Sequence, residues 1–366
     1  MIIKRNAARK AKRILVINPF GIGDVLFTTP ILRALKDKYP DCFIGYWCNE
    51  RAQSILANNK NIDIIFALSR GDIKRFHKKS WFLGLNRSLK LFFEIKKNKF
   101  DTSFDFSLDC YYGFISKLAG IKERIGYDYK NRGRFLTKKT PLNGYLGKHV
   151  IEYHSDLLQA NGIPVTNKHM ELTVSAQAES EAEELFWLSG VKDTDLLVGI
   201  APGAGESWGK DAVYKHWPVS NFSEVADKLV SDFNAKVLLL GDNTDMPLTD
   251  EITNFCKNKP INLAGRTSLG TLAAVIRKLN LLISNDGGPM HMAVAQGIKT
   301  VAIFGPVDDL VYGPYPLSRD QLVIKSKIEC RPCYNNFRLR PCAKDKECLY
   351  SISTDEVFAA ARKLLS

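Results

Sequence analysis

The residues of this chain best suited to chemistry stand where an apolar run breaks off into glycine. Gly21-Ile22-Gly23-Asp24 follows the run Ile14–Asn18. Its glycines let the backbone turn tightly and approach a ligand closely. Asp24 stands at a helix start, where a carboxylate serves either as a cap or as a general base. The dinucleotide fingerprint needs Gly at 26, where this chain has Leu26, and the phosphate-loop ending Gly-Lys-Ser/Thr is absent. Pro202-Gly203-Ala204-Gly205 opens a second loop, which carries Ser207, Lys210, Lys215, His216 and Trp217. A glycine-rich turn followed by lysines suits phosphate. Gly241-Asp242-Asn243-Thr244-Asp245 reads, taken alone, as a strand-to-helix turn. In Asp286-Gly287-Gly288-Pro289-Met290-His291 the two glycine amides at a helix N-terminus would form an anion site. Asp286 could instead hold a hydroxyl such as that of a ribose, and His291 falls within the first turn or so of the helix.

Such loops need strands to carry them. In the first half Ile14–Asn18, Phe43–Trp47, Ile62–Leu68 and Thr102–Leu108 read as strands. Val25, Leu26, Ile31, Leu32 and Leu35 keep helical spacing, with Pro30 kinking or restarting that helix. The second half repeats the scheme with strands at Leu196–Ala201, Lys236–Leu240, Leu281–Ser284 and Thr300–Phe304. Helices are predicted at Asn221–Phe233 and Ser268–Lys278, and Ser353-Thr354-Asp355-Glu356 is a capping box opening a last helix. Alternation of this kind predicts α/β architecture: parallel sheets covered on both faces, in two doubly wound domains with a cleft between them. Ligands then bind at the carboxyl ends of the strands. The predicted divisions are 1–170, 171–352 and a C-terminal helix over 353–366.

The chain has 366 residues, and its 52 Lys and Arg against 39 Asp and Glu leave a formal charge of +13. Residues 1–170 hold 31 basic and 14 acidic residues, so they carry +17; residues 171–366 hold 21 and 25, so they carry −4. The asymmetry points to an anionic partner for the first half, against the plainer reading of a lysine-rich solvated surface. Nucleic acid, acidic lipid and phosphorylated glycolipid all carry the right charge. No aromatic-bearing RNA motif or zinc-finger spacing supports the first. No apolar run reaches the roughly 20 residues that span a bilayer. The basic start shows neither an apolar signal core nor a small-residue cleavage site, so a cytoplasmic location is expected.

Four of the eight cysteines cluster as Cys330-x2-Cys333-x8-Cys342-x5-Cys348. In a cytosolic chain this clustering favours a structural Zn²⁺ or iron–sulfur centre over disulfides, although the spacing is not a standard two-knuckle one. Free thiols or a redox-dependent bridge are the alternatives.

Three segments together resemble glycosyltransferase family nine, the ADP-heptose:lipopolysaccharide heptosyltransferases. They are the strand and loop Arg13 to Leu26, the element Lys215-His216-Trp217-Pro218, and Ser284 to His291 followed by Phe304-Gly305-Pro306. Their order and spacing also fit, and the likeness covers nearly the whole chain. It implies a GT-B fold of two Rossmann-like domains facing across a cleft, and an inverting, metal-independent transfer that needs no cofactor. The ADP-sugar donor is expected on the C-terminal domain. An anionic glycolipid acceptor, the Kdo or heptose inner core on lipid A, is expected on the N-terminal domain, at the cytoplasmic face of the inner membrane and with no nucleic acid involved. Asp24 matches the family's proposed general base, ionised in the complex, within the acceptor loop of Gly21 and Gly23. Lys215 matches its phosphate-binding lysine. Asp286, Gly287, Gly288 and His291 match positions near the diphosphate and ribose. Asp245 and Thr267 fall where the family contacts ribose and base.

The chain departs from the pattern in two places. The stretch 205–215 is longer than the family's, so that Lys210, with Ser207 nearby, could share the phosphate role. Gly287 replaces a residue that often carries a hydroxyl. The competing readings are a family relative using another nucleotide-sugar, a GT-B nucleotide-sugar epimerase acting without an acceptor, and a basic binding module with no saturable nucleotide-sugar site.

Overall fold

The computed structural model describes residues 12–366, without the side chains of Glu206 and Ser207; the basic residues 1–11 lie outside the described residues. The chain divides into two compact units. The first comprises 12–20, 27–143 and 153–168; the second comprises Gly21–Leu26, Gly144–Glu152 and His169–Ser366.

The first unit is built on six strands, β1 (Arg13–Ile17), β2 (Phe43–Cys48), β3 (Ile64–Ala67), β4 (Thr102–Asp105), β5 (Glu123–Tyr129) and β6 (Lys138–Leu142). They lie in the order β3-β2-β1-β4-β5-β6, all parallel. The second unit holds β7 (Leu197–Ala201), β8 (Lys236–Leu239), β9 (Ile261–Asn262), β10 (Leu281–Asn285), β11 (Thr300–Phe304) and β12 (Gln321–Lys325), ordered β12-β11-β10-β7-β8-β9 and again all parallel. Numbered within their own sheet, both sets read 3-2-1-4-5-6, the Rossmann order. The predicted α/β fold of two doubly wound domains is thus what the chain adopts.

The central strands β1, β7, β10 and β11 are buried almost without interruption, as expected where helices cover both faces of a parallel sheet. In the first unit Leu15, Ile17, Trp47, Phe66 and Ile95 form one core, and the Trp47 indole N–H donates to the Leu68 carbonyl at 2.8 Å. In the second, Val198, Ile200, Trp217, Phe222 and Ile283 pack with Val357, Ala361 and Leu364 of the final helix. That helix, Thr354–Leu365, starts on the predicted Ser353/Glu356 capping box and is part of the second unit's core.

Pro30 restarts the first helix: Ile22–Leu26 ends, and Thr29–Lys38 begins with the proline in its first turn, where a missing N–H costs nothing. Ser268 caps Leu269–Arg277 as predicted, accepting from the Thr271 N–H.

Candidate active site

Strand β1 ends at Ile17, and the next turn carries Gly21 to Asp24 into the second unit. Asp24 lies in the short helix Ile22–Leu26, and its carboxylate accepts the Gly21 N–H at 3.1 Å. The group is therefore a cap as well as a candidate base. It keeps some solvent exposure, but protein encloses it on enough sides that burial raises its pKa to about 6, against the pull of that backbone hydrogen bond and of Lys215. At neutral pH the ionised form still predominates. Gly23 has a steric reason: a Cβ there would stand 2.5 Å from Cδ2 of His291. The first-strand loop and the helix bearing His291 therefore meet as closely as they do only because position 23 has no side chain.

Lys215 ends the irregular helical segment Glu206–Lys215, in which Gly209 turns the chain with φ 51°. Its side chain is buried, and the ammonium pairs with Oδ2 of Asp286 at 2.6 Å while lying 4.3 Å from the ring centre of Trp208. Burial pushes the Lys215 pKa down; the charges of Asp286 and Asp24 push it back up. Asp286 follows β10 and is itself buried. Next, Gly287 is the N-cap of the helix Gly288–Ala295 and brings no capping side chain. The backbone donors of that first turn are thus left for an outside acceptor, beside a lysine. His291 is buried in the same helix, and desolvation, helped by the Lys215 charge, drives its pKa down to about 3, so the ring is neutral.

Asp245 sits beneath two strand ends. A Cβ on Gly203 would fall 2.2 Å from its Oδ1, and one on Gly241 2.7 Å from its Cβ; its Oδ2 accepts the Asp242 N–H at 3.1 Å. Burial first, then the Asp242 charge, raises its pKa to about 6. Thr267 is half-buried in the turn after β9. Lys210 is exposed, and the Ser207 side chain lies outside the described residues. The structure thus brings Asp24, Lys215, Asp286 and His291 together around Gly287 and Gly288, whereas Lys210 stays at the surface.

Sequence reading missed the residue that ties these loops to one another. Asn285, fully buried at the end of β10, donates to the Pro202 carbonyl at 2.5 Å and accepts the Trp217 N–H at 3.4 Å. Its signal is a polar side chain closing a strand that opens on three apolar residues, Leu281 to Ile283. Tyr312 was also missed; burial raises its phenol pKa well above the ordinary value, with Asp24 and Asp286 among the contributing charges. His149, buried and stacked on Tyr315 with ring centres 4.4 Å apart, faces the Gly313 carbonyl at 3.2 Å, and burial drives its pKa down to about 3.

The metal centre expected at the C-terminal cysteines is not found. Among the described residues no group of three or more His, Cys, Asp or Glu is arranged to hold an ion, and all four cysteines are free thiols. Although the four line one pocket, each thiol is engaged or placed otherwise. The Cys333 thiol donates to the Cys330 carbonyl at 3.0 Å, Cys342 Sγ accepts the Lys346 N–H at 3.2 Å, Cys330 is exposed and Cys348 is buried in the core. Burial and the neighbouring Cys330 raise the Cys333 pKa to about 11 in the metal-free protein.

Two Rossmann-type domains, with a buried lysine, clustered carboxylates and an uncapped helix start at the strand ends of one of them, give the chain the GT-B fold. The profile of glycosyltransferase family 9 (heptosyltransferase) matches residues 88–343, more than half of the chain. The chain belongs to that family. It is 26% identical over 351 residues to lipopolysaccharide heptosyltransferase 3 of Escherichia coli K12, spanning 94% of this chain and 95% of that one. The crystal structure of a family 9 glycosyltransferase from Veillonella parvula superposes with a TM-score of 0.80 at 27% identity, covering 99% of each chain. The E. coli heptosyltransferase WaaC with ADP shares the fold at a TM-score of 0.72 and 17% identity, covering 96% of this chain and 99% of that one.

Proposed function

We propose that this glycosyltransferase moves a heptose from ADP-heptose to the inner core of lipopolysaccharide, with inversion and without a catalytic metal. The acceptor hydroxyl oxygen attacks the anomeric carbon from the face opposite the diphosphate. Asp24 takes its proton, the bond from the anomeric carbon to the diphosphate oxygen breaks, and ADP departs. A carboxyl held near pH 6 suits this role, because it is ionised at neutral pH yet more basic than an ordinary aspartate. Lys215 and the amides of Gly287 and Gly288 offset the charge that builds on the diphosphate; fixed positive groups beside a departing anion lower the barrier most. Asp286 holds Lys215 in place until the donor arrives, and Asp245 and Thr267 contribute to the donor pocket. The +17 carried by residues 1–170 suits a phosphorylated glycolipid acceptor. The protein works in the cytoplasm, peripheral to the inner membrane, and nucleic acid has no part in it.

The single observation that carries this reading is the buried Lys215–Asp286 pair at 2.6 Å beside an uncapped helix start. The test is transfer of heptose from ADP-heptose to Kdo-lipid A in the presence of EDTA. Turnover that stops on chelation, or thermal stabilisation by UDP- or GDP-sugars and not by ADP-sugars, would overturn it.

A further inference from the structure

We infer that the helix Trp81–Lys97 is a docking surface for an anionic lipid bilayer. The helix buries one face, through Gly84, Leu91 and Ile95, against the rest of its unit. Turned away from that face, Phe82, Leu85, Leu89 and Phe93 recur at spacings of three and four, which aligns them in one stripe. Every one of them is exposed: Phe82 to 78%, Phe93 to 60% and Leu89 to 46%, with Trp81 beside them at 60%. A soluble protein seldom shows water so many large apolar side chains in one row. The stripe is held firmly. Gly84 lets the His77 ring of the preceding helix, Arg70–Lys79, come so close that a Cβ would stand 2.7 Å from Nδ1, and Trp81 packs edge-on to Phe82 at 5.5 Å.

The surrounding charge selects the occupant. Residues 70–99 contain ten Lys and Arg against Asp72 and Glu94. Arg75 and Arg87 are tied to Glu50 at 2.7 and 2.5 Å. Lys78, Lys79, Lys90 and Lys97 form no ion pair among the described residues and flank the apolar row. An apolar face with aromatic residues, bordered by lysines, lies in the interface of a membrane with its rings among the acyl chains and its ammonium groups at acidic headgroups. A second copy of the chain is a poor occupant, since it would bring two such basic segments face to face.

The inference rests on the proposed function in one respect only: a glycolipid acceptor gives the enzyme a reason to reach a bilayer. The full chain is to be sedimented with vesicles of phosphatidylcholine and phosphatidylglycerol, and with vesicles of phosphatidylcholine alone. Binding should need the anionic lipid and weaken with added salt. It should fall about tenfold or more in Phe82→Ser/Phe93→Ser and in Lys78→Gln/Lys79→Gln/Lys90→Gln. All five side chains are exposed, so melting temperature and turnover on a water-soluble acceptor should stay at wild-type values. Wild-type protein that ignores the anionic vesicles, or variants that bind them as well as wild type, overturn the inference. So does a dimer in ultracentrifugation that the Phe82→Ser/Phe93→Ser variant dissociates. Vesicle binding involves neither donor nor acceptor. Docking without heptose transfer would thus count against the proposed function alone, and transfer without docking against this surface alone.

Discussion

The fourth strand of each sheet lies beside the first and feeds a helix, yet the two strand ends are finished in opposite ways. After β4, Asp105 accepts the Ser107 N–H at 2.9 Å. Asp109 then caps the helix Cys110–Leu118, accepting the Tyr111 N–H at 3.1 Å while Arg70 pairs with it at 2.7 Å. The positive end of that helix is filled by the chain's own carboxylate. After β10, Gly287 occupies the N-cap position without a side chain, and the neighbouring Asp286 turns to Lys215 instead. Here the helix end is left for an anion from outside, with a cation already beside it. Topology supplies a helix N-terminus in both places, and a few side chains decide which of them is left open to an anion.

The largest expected effect comes from Asp24→Asn. The amide oxygen can still accept the Gly21 N–H, so the turn survives, but no group remains to take the acceptor proton. Turnover should fall by about 10²–10⁴, while calorimetry shows ADP affinity close to wild type. Near-normal turnover would remove Asp24 from the mechanism. Lys215→Met comes next. It leaves the Asp286 carboxylate buried without its partner, so stability should drop by about 3–5 kcal/mol and turnover by about 10²–10³. The double variant Lys215→Met/Asp286→Asn separates the two losses: melting temperature should largely recover and turnover should not. Recovery of both would make the pair structural and erase the contrast between the two strand ends.

Acidity sharpens the comparison further. Burial raises two carboxyls alike to about 6: Asp24, whose short helix packs beside Gly288 at the open helix start, and Asp105, at the end of β4. A carboxyl raised in the folded state destabilises the fold above pH 6, and the penalty fades as pH falls through 6 towards 3.8. Asp105→Asn should therefore stabilise the protein at pH 8 by up to about 3 kcal/mol, lose that advantage progressively between about pH 6 and pH 4, and leave turnover unchanged. Wild-type turnover should decline below about pH 6 with a one-proton slope, as Asp24 protonates. A decline that persists in Asp105→Asn assigns it to Asp24; one that shifts in that variant transfers it to the first unit.

Much of this was legible in the sequence because it depends on local pattern. Apolar runs bounded by glycine located the central strands, and Ser268 and Ser353 marked helix starts by their own side chains. The weaker strands went unread: β6 (Lys-Lys-Thr-Pro-Leu) is largely exposed and has only one buried residue, and β9 has two residues. Among candidate site residues, the sequence singles out those in glycine loops. Asn285 was missed because its role is to join loops 83 and 68 residues away, and no local pattern encodes that. The cysteines run the other way: their spacing suggests a shared ligand, but among the described residues they form no metal-holding group, one thiol lying in the core and another bonded to a backbone carbonyl. The grouping of Gly21–Leu26 with the second unit was likewise invisible, since it depends on His291 meeting Gly23 across more than half the chain.

The smallest effect tests the comparison most directly. Asp109→Ala removes the carboxylate that fills the first unit's helix end and leaves Arg70 beside it, a crude copy of the arrangement around Lys215. Loss of the cap should lower stability by about 1 kcal/mol, read as a small drop in melting temperature. If an uncapped helix start and a nearby cation were sufficient, calorimetry would now find a second ADP site. The expected stoichiometry stays at one. The Arg70 side chain is 49% exposed whereas that of Lys215 is 5% exposed, and a charge in water attracts phosphate several-fold more weakly than one held in a low-dielectric surround. What the second unit adds to the common topology is therefore enclosure: Asn285 draws the Pro202 turn and Trp217 around the lysine before any donor arrives.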